Sequence, residues 1–271
     1  MKILVAGAGY VGGRLARVLA KQGHEVTGWM RSEKNQQQLI QEKLKVICAD
    51  ITQGSSWEKN AQRWDAIVYC VSSSRGGEEA YRKIHQQGLA LALEAKPLVF
   101  IYTSSTSVYG QKDGSVVDEN SETQPESITS KILIQAEQEV LKHGGIVARL
   151  AGIYGSERQF WIQKILRGET MKNRRLNQIH RDDAVGALEF LLAHPEKGIF
   201  NVCDNDPVLW NDFCQWVCER IPCPMPTKFS SSINHRKRGD THKCVSNAKL
   251  CALGWHPIFP TFREGYAEFF K

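Results

Sequence analysis

The sequence has no uninterrupted apolar run of about 18 residues, the minimum for a helix that crosses a bilayer. No membrane-spanning helix is therefore expected. No small-residue cleavage site follows the apolar start MKILVAGAG, so a signal peptide is not expected either and a cytoplasmic location is. Its eight cysteines, at 48, 70, 203, 214, 218, 223, 244 and 251, include no C-x-x-C pair. Cys214 and Cys218 stand at i, i+4, which would serve a metal only if other ligands converged. Reduced, mostly buried thiols and no metal are the expectation. The net charge of +6 is modest, and the one dense basic stretch, HRKRGDTHK at 235–243, lacks the interleaved aromatics of a single-strand-binding surface. It reads as a solvated loop or an anion site, and no nucleic-acid partner is expected. Internal repeats are absent, and the Gln run at 36–38 is the only low-complexity segment.

What is present begins at once. Residues 2–32, KILVAGAGYVGGRLARVLAKQGHEVTGWMRS, read as a buried strand (2–6), a G-x-G-x-x-G turn at Gly7, Gly9 and Gly12, a helix with Leu15, Val18 and Leu19 on one face, and a second strand (24–29). The first glycine permits the tight turn. The second lets a pyrophosphate approach the backbone, and the third lets helix and strand pack closely, with the helix N-terminus facing the phosphates. Strand, glycines, helix and strand in that order are a dinucleotide-binding signature, with Tyr10 and Val11 inside the loop; a ligand-free glycine turn is the competing reading. The tip of the second strand selects the cofactor. An NAD site usually carries Asp or Glu there, whereas Trp29, Met30, Arg31 and Ser32 carry none. Arg31 and Ser32 suit a ribose 2′-phosphate, which favours NADP(H) over NAD(H); Glu33 keeps NAD open.

Strands at 45–50, 66–71, 97–105 and 145–150 alternate with helices at about 78–95 and 129–142. This pattern predicts an α/β fold, a Rossmann doubly wound parallel sheet, followed by a small C-terminal α/β substrate lobe. The dinucleotide-binding domain is placed at 1–151 and the substrate lobe at 152–271, with the last Rossmann elements interleaved around 176–203. The lobe opens on the basic segment 156–175 with Trp161, carries a helix from about Asn211, and is broken by Pro222, Pro224 and Pro226.

Several segments together resemble the short-chain dehydrogenase/reductase superfamily, in its extended NAD-dependent epimerase/dehydratase branch. They are ADIT (49–52), YTSSTSVYG (102–110), RLAGIYG (149–155), IHRDDAVGALEFLL (179–192) and RGDTHKCVSNAKLCALGWHP (238–257). The string S-S-T-S-V-Y-G is shared with the atypical YeeZ-like members. The resemblance implies NAD(P)-dependent oxidoreductase or epimerase chemistry on a small or nucleotide-linked anionic substrate. It implies cofactor contacts at Gly7, Gly9, Tyr10, Val11, Gly12, Arg31, Ser32, Asp50, Ile51, Ser72 and Lys131. It also implies phosphate contacts from Arg236, Lys237 and Arg238, and a homodimer through the helices near 78–95 and 129–142.

The same resemblance exposes a gap. The branch uses a Ser or Thr on the substrate oxygen, a Tyr as acid/base, and a Lys four residues later. Here these positions hold Ser105, Ser127 and Lys131. A serine hydroxyl is too weak an acid to replace a phenol near neutral pH without a strong base of its own. Residues 106 and 107 are Thr and Ser where the dehydratases carry an acidic pair, so dehydration by that route is disfavoured. Tyr109 reads as a packed tyrosine, and His85 as a partly exposed helix histidine or a substitute base. Two functions stay open: an oxidoreductase or epimerase with a non-standard acid/base, and a catalytically silent NADP(H)-binding sensor.

Overall fold

The computed structural model describes residues 1–73, 76–229 and 241–270, without the side chains of 33–35. In chain order the strands of the main sheet, with helices that lie between them, are β1 (Lys2–Ala6), α1 (Gly12–Lys21), β2 (Glu25–Met30), α2 (Glu33–Gln41), β3 (Lys45–Cys48), α3 (Gly54–Lys59), β4 (Ala66–Tyr69), α4 (Gly77–Arg82), α5 (Leu89–Glu94), β5 (Val99–Ser105), α6 (Ile128–Lys142), β6 (Ile146–Leu150) and β7 (Gly198–Val202). The seven strands form one sheet in the order β7-β6-β5-β4-β1-β2-β3. The pairings β1–β2, β2–β3, β1–β4 and β4–β5 are parallel. This is the doubly wound architecture, with the strand order reversing between β1 and β4, and the chain's regular alternation produces it. Helices on both faces bury both sides of the central strands, so Ile3–Ala6 and Ala66–Tyr69 are apolar throughout and almost fully buried. Helix α1 presents only one face to the sheet, through Leu15, Ala16 and Leu19.

The helix expected over 78–95 is interrupted. Between α4 and α5 residues Lys83–Gly88 form a π-turn. Its cause lies on β4. The Tyr69 hydroxyl donates to the Ile84 carbonyl at 2.7 Å. A Cβ on Gly88 would come within 2.7 Å of the same hydroxyl oxygen. A side-chain donor inserted into the helix wall takes a carbonyl from the regular ladder, and the turn widens.

The chain folds as two compact units. The first comprises Met1–Ser105, Ile128–Arg149 and Val185–Phe200 and contains the sheet. The second comprises Thr106–Ser127, Leu150–Ala184 and Asn201–Lys271. It is built from short paired strands, such as Cys244–Val245 beside Val116–Val117 and Gln178–His180 beside Gly152–Tyr154, with helices at Phe160–Leu166, Trp210–Cys218 and Phe262–Ala267. Its core is aromatic. Tyr154, Trp210, Phe213, Trp216, Phe262 and Tyr266 pack together, and Tyr154 stacks on Tyr266 with centroids 4.1 Å apart. A capping box of Thr261 and Glu264 starts the last of these helices.

Candidate functional site

The turn after β1 shows why each glycine stands where it does. Gly7 has φ +89°, and a Cβ there would lie 2.7 Å from the backbone of Cys70 and Val71. Position 7 therefore admits only glycine, on conformational and steric grounds together. A Cβ on Gly12 would lie 2.4 Å from the Gly7 carbonyl oxygen and 3.1 Å from Val5 Cγ1, so this glycine lets α1 start against β1. At Gly9 the opposite holds: no atom of the described residues lies within 4 Å of an added Cβ. The loop closes on itself through Gly9 N–H to Gly7 O and Gly13 N–H to Gly9 O, both 2.7 Å. Helix α1 then begins at Gly12, with Val11 at its N-cap. An open backbone at the second glycine and a helix N-terminus beside it make a cradle for a diphosphate.

The strand register carries the other candidate residues to the same edge. Ala6 pairs with Trp29 of β2 and Tyr69 of β4, Tyr69 with Tyr102 of β5, and Met30 with Cys48 of β3. The residues just beyond these partners lie in a row along the carboxyl ends of adjacent strands: the glycine turn, Arg31 and Ser32, Asp50 and Ile51, Ser72, and Ser105. In open parallel sheets ligands bind along this edge, where the strand order reverses.

Arg31 and Ser32 are exposed. Ser32 occupies the N-cap of α2, but its hydroxyl makes no capping bond, so it remains available to an anion beside that helix end. Trp29 is buried, its carbonyl accepts the Gly7 and Ala8 amides at 2.8 and 3.0 Å, and its ring lies 4.6 Å from that of Trp57. Asp50 folds an Asx-turn, with Oδ1 accepting from the amide and hydroxyl of Thr52 at 2.9 and 2.8 Å. Ile51 is buried and Ser72 exposed.

Ser105 ends β5, half-buried. Lys131 is exposed in the first turn of α6. Because only three residues separate α6 from β6, the end of α6 meets the start of that strand, and its beginning lies toward the carboxyl edge. A buried triad, missed in the sequence, ties α6 to the sheet. Ser104 Oγ donates to Glu137 Oε1 at 2.5 Å, and the Arg149 guanidinium grips Glu137 through Nε at 3.0 Å and Nη2 at 2.6 Å. The readable signal was Glu137 itself, a charged residue among the buried positions Ile132, Leu133, Ala136 and Val140 of α6. Ser127, at the tyrosine position, directly precedes α6.

Two expectations change or narrow. His85 is not partly exposed: it lies in the π-turn, 5% exposed, with Nδ1 2.8 Å from the Tyr102 hydroxyl. Burial lowers its pKa to about 4, so it stays neutral and enclosed, which does not suit a base that must meet substrate. Tyr109 is fully buried, and its hydroxyl donates to Asn201 Oδ1 at 3.0 Å. The expected phosphate contacts Arg236, Lys237 and Arg238 lie outside the described residues. Among the described residues no group of three or more potential ligands could hold a metal ion, and no helix is long and apolar enough to cross a membrane.

The model of the NAD dependent epimerase/dehydratase family matches residues 3–203. Protein YeeZ of Escherichia coli K12 is 25% identical over 277 aligned positions, covering 96% of each chain. A Methylobacillus flagellatus structure, bearing the provisional description NAD-dependent epimerase/dehydratase, superposes with a TM-score of 0.79 at 27% identity, over 98% of this chain and 96% of that one. MoeE5, solved with UDP-glucuronic acid and NAD, shares the fold with a TM-score of 0.78 at 20% identity, covering 98% and 97%.

Proposed function

This chain belongs to the NAD dependent epimerase/dehydratase family, and from that membership and the glycine turn we infer an NAD(P)-dependent oxidoreductase or epimerase that prefers NADP(H) and works with a non-standard acid/base. The observation that carries the reading is the contrast within the turn: Gly7 and Gly12 are closed by protein atoms, while no described atom lies within 4 Å of a Cβ added at Gly9. A glycine kept where protein contacts do not demand it fits a ligand that does. Gly9, Tyr10, Val11 and Gly12 would hold the diphosphate, Asp50 and Ile51 the adenine side, and Ser72 and Lys131 the nicotinamide ribose. When bound, the nicotinamide supplies a hydride acceptor or donor. The chain's own part is then to hold the substrate oxygen, through the Ser105 hydroxyl, and to keep a positive charge near it, through Lys131.

The substrate proposed is a small or nucleotide-linked hydroxyl or carbonyl compound bearing negative charge. MoeE5's bound UDP-glucuronic acid is a compound of this kind. A homodimer and a cytoplasmic location belong to the same proposal. The NADP preference rests on Arg31 and Ser32: a guanidinium and an N-cap hydroxyl that makes no capping bond stand where an acidic side chain would repel a 2′-phosphate. Titration of both cofactors tests it. NADPH should bind more tightly than NADH. Arg31→Ala should weaken NADPH by roughly 1.5–3 kcal/mol while leaving NADH nearly unchanged. Equal affinity for the two in the unaltered protein overturns the preference.

A further inference from the structure

We propose that Cys218 and Cys223 form a reversible dithiol–disulfide site, oxidised by low-molecular-weight disulfides such as oxidised glutathione. Cys218 is the last residue of the helix Trp210–Cys218, and Cys223 lies five residues on, between Pro222 and Pro224. Their sulfurs are 3.3 Å apart, with the Cys223 thiol donating to Cys218. Among the described residues no other two cysteine thiols are hydrogen-bonded to each other. The other cysteines range from buried, such as Cys203 and Cys214, to exposed, such as Cys48.

Two features suit this pair to exchange. Both residues are partly exposed, so a small disulfide reaches them. Glu219, Arg220 and Pro222 of the connecting turn are exposed, and the sulfurs have to close from 3.3 Å to about 2.05 Å. The steps balance. One protein thiolate of the pair attacks one sulfur of oxidised glutathione, releases one glutathione thiolate and forms a mixed disulfide. The other thiolate of the pair then attacks the protein-bound sulfur of that mixed disulfide and releases the second glutathione. Two protein thiols have lost two protons and two electrons, and one glutathione disulfide has become two glutathiones.

The test uses the full chain, reduced and then equilibrated with oxidised glutathione. Intact mass should fall by two hydrogens, and peptide mapping should join Cys218 to Cys223. Excess reduced glutathione should restore the thiols. Cys223→Ser should leave no bridge, whereas Cys214→Ser should leave the bridge unaffected. Mapping of the unaltered protein decides the matter even if a variant folds poorly. Three results overturn the proposal: no loss of the two hydrogens, a bridge from Cys214 to Cys218, or glutathione retained on either cysteine of the pair without ring closure.

Discussion

The turn after β1 and the start of α6 both lie toward the carboxyl edge of the sheet, yet they match the family's pattern unequally. At the turn, two glycines are enclosed by backbone, and at the third no described atom lies within 4 Å of an added Cβ. At α6 the lysine remains and the helix is anchored by the buried Ser104–Glu137–Arg149 triad, but residue 127 is serine. On the proposed function, the difference teaches that a scaffold for holding a dinucleotide and a group that moves a proton are separable. The first depends on backbone shape that few substitutions survive. The second depends on one side chain that can be exchanged without disturbing the fold. The largest effect expected is therefore on the first. Gly9→Val adds a branched side chain where no described atom objects, so the protein should fold, while NADPH affinity falls roughly a hundredfold or more. Calorimetric titration of a variant with an unchanged melting temperature checks this, and undiminished affinity would move the phosphate site elsewhere.

Gly12→Ala sharpens the same contrast from the other side. Its Cβ meets the Gly7 carbonyl oxygen at 2.4 Å, and a backbone atom cannot swing away as a side chain can. The cost should be roughly 3 kcal/mol of folding stability, measured by urea unfolding. If Gly12→Ala were as stable as Gly9→Val, the division of labour among the glycines would be wrong.

His85 gives a pH-dependent effect of similar size. Burial lowers its pKa from 6.5 to about 4. The unfolded chain takes up the proton first as pH falls, so the stability is fully present above pH 6.5 and is lost between there and about 4. The loss amounts to about 3 kcal/mol. His85→Gln should flatten that part of the stability profile. An unaltered slope would mean that His85 is protonated inside the fold.

The sheet was legible because its signals are local. Continuous apolar strands, a glycine turn and one-faced helices each declare themselves within ten residues, and their repetition dictates a parallel sheet. The candidates Arg31, Ser32, Asp50, Ile51 and Ser72 were picked on a signal of the same local kind, each just past a strand end. What escaped depends on distant partners. The π-turn arises from Tyr69, fifteen residues before the carbonyl it binds. The burial of His85 depends on Tyr102, and that of Glu137 on Arg149. Nothing near 218 or 223 announces that their sulfurs meet, because the spacing x₄ is not a redox motif and the contact depends on how the proline-flanked turn folds back. The second unit, with two- and three-residue strands, offered little periodicity to read.

The smallest effect expected bears on the weaker side of the comparison. If the start of α6 is an active site lacking only its phenol, Ser127→Tyr should supply it. Residue 127 precedes the helix by one position and Lys131 by four, the spacing the family uses for a tyrosine and its lysine. A phenol titrates near 10, and a neighbouring ammonium favours its ionised form, so a tyrosine here would act as an acid/base where a serine cannot. The variant should show NADPH-dependent reduction of small carbonyl compounds above the unaltered protein, and adding Lys131→Met should abolish that gain. Activity is read as NADPH oxidation across a carbonyl panel, with NADPH binding measured alongside. A variant that binds NADPH yet reduces nothing more than before would mean that Ser105 and Lys131 no longer frame a substrate carbonyl. The retained lysine would then serve the ribose alone, and the sensor reading would gain. A gain that survives Lys131→Met would show that the new phenol draws its ionisation from another cation, and the lysine would lose its place in the chemistry.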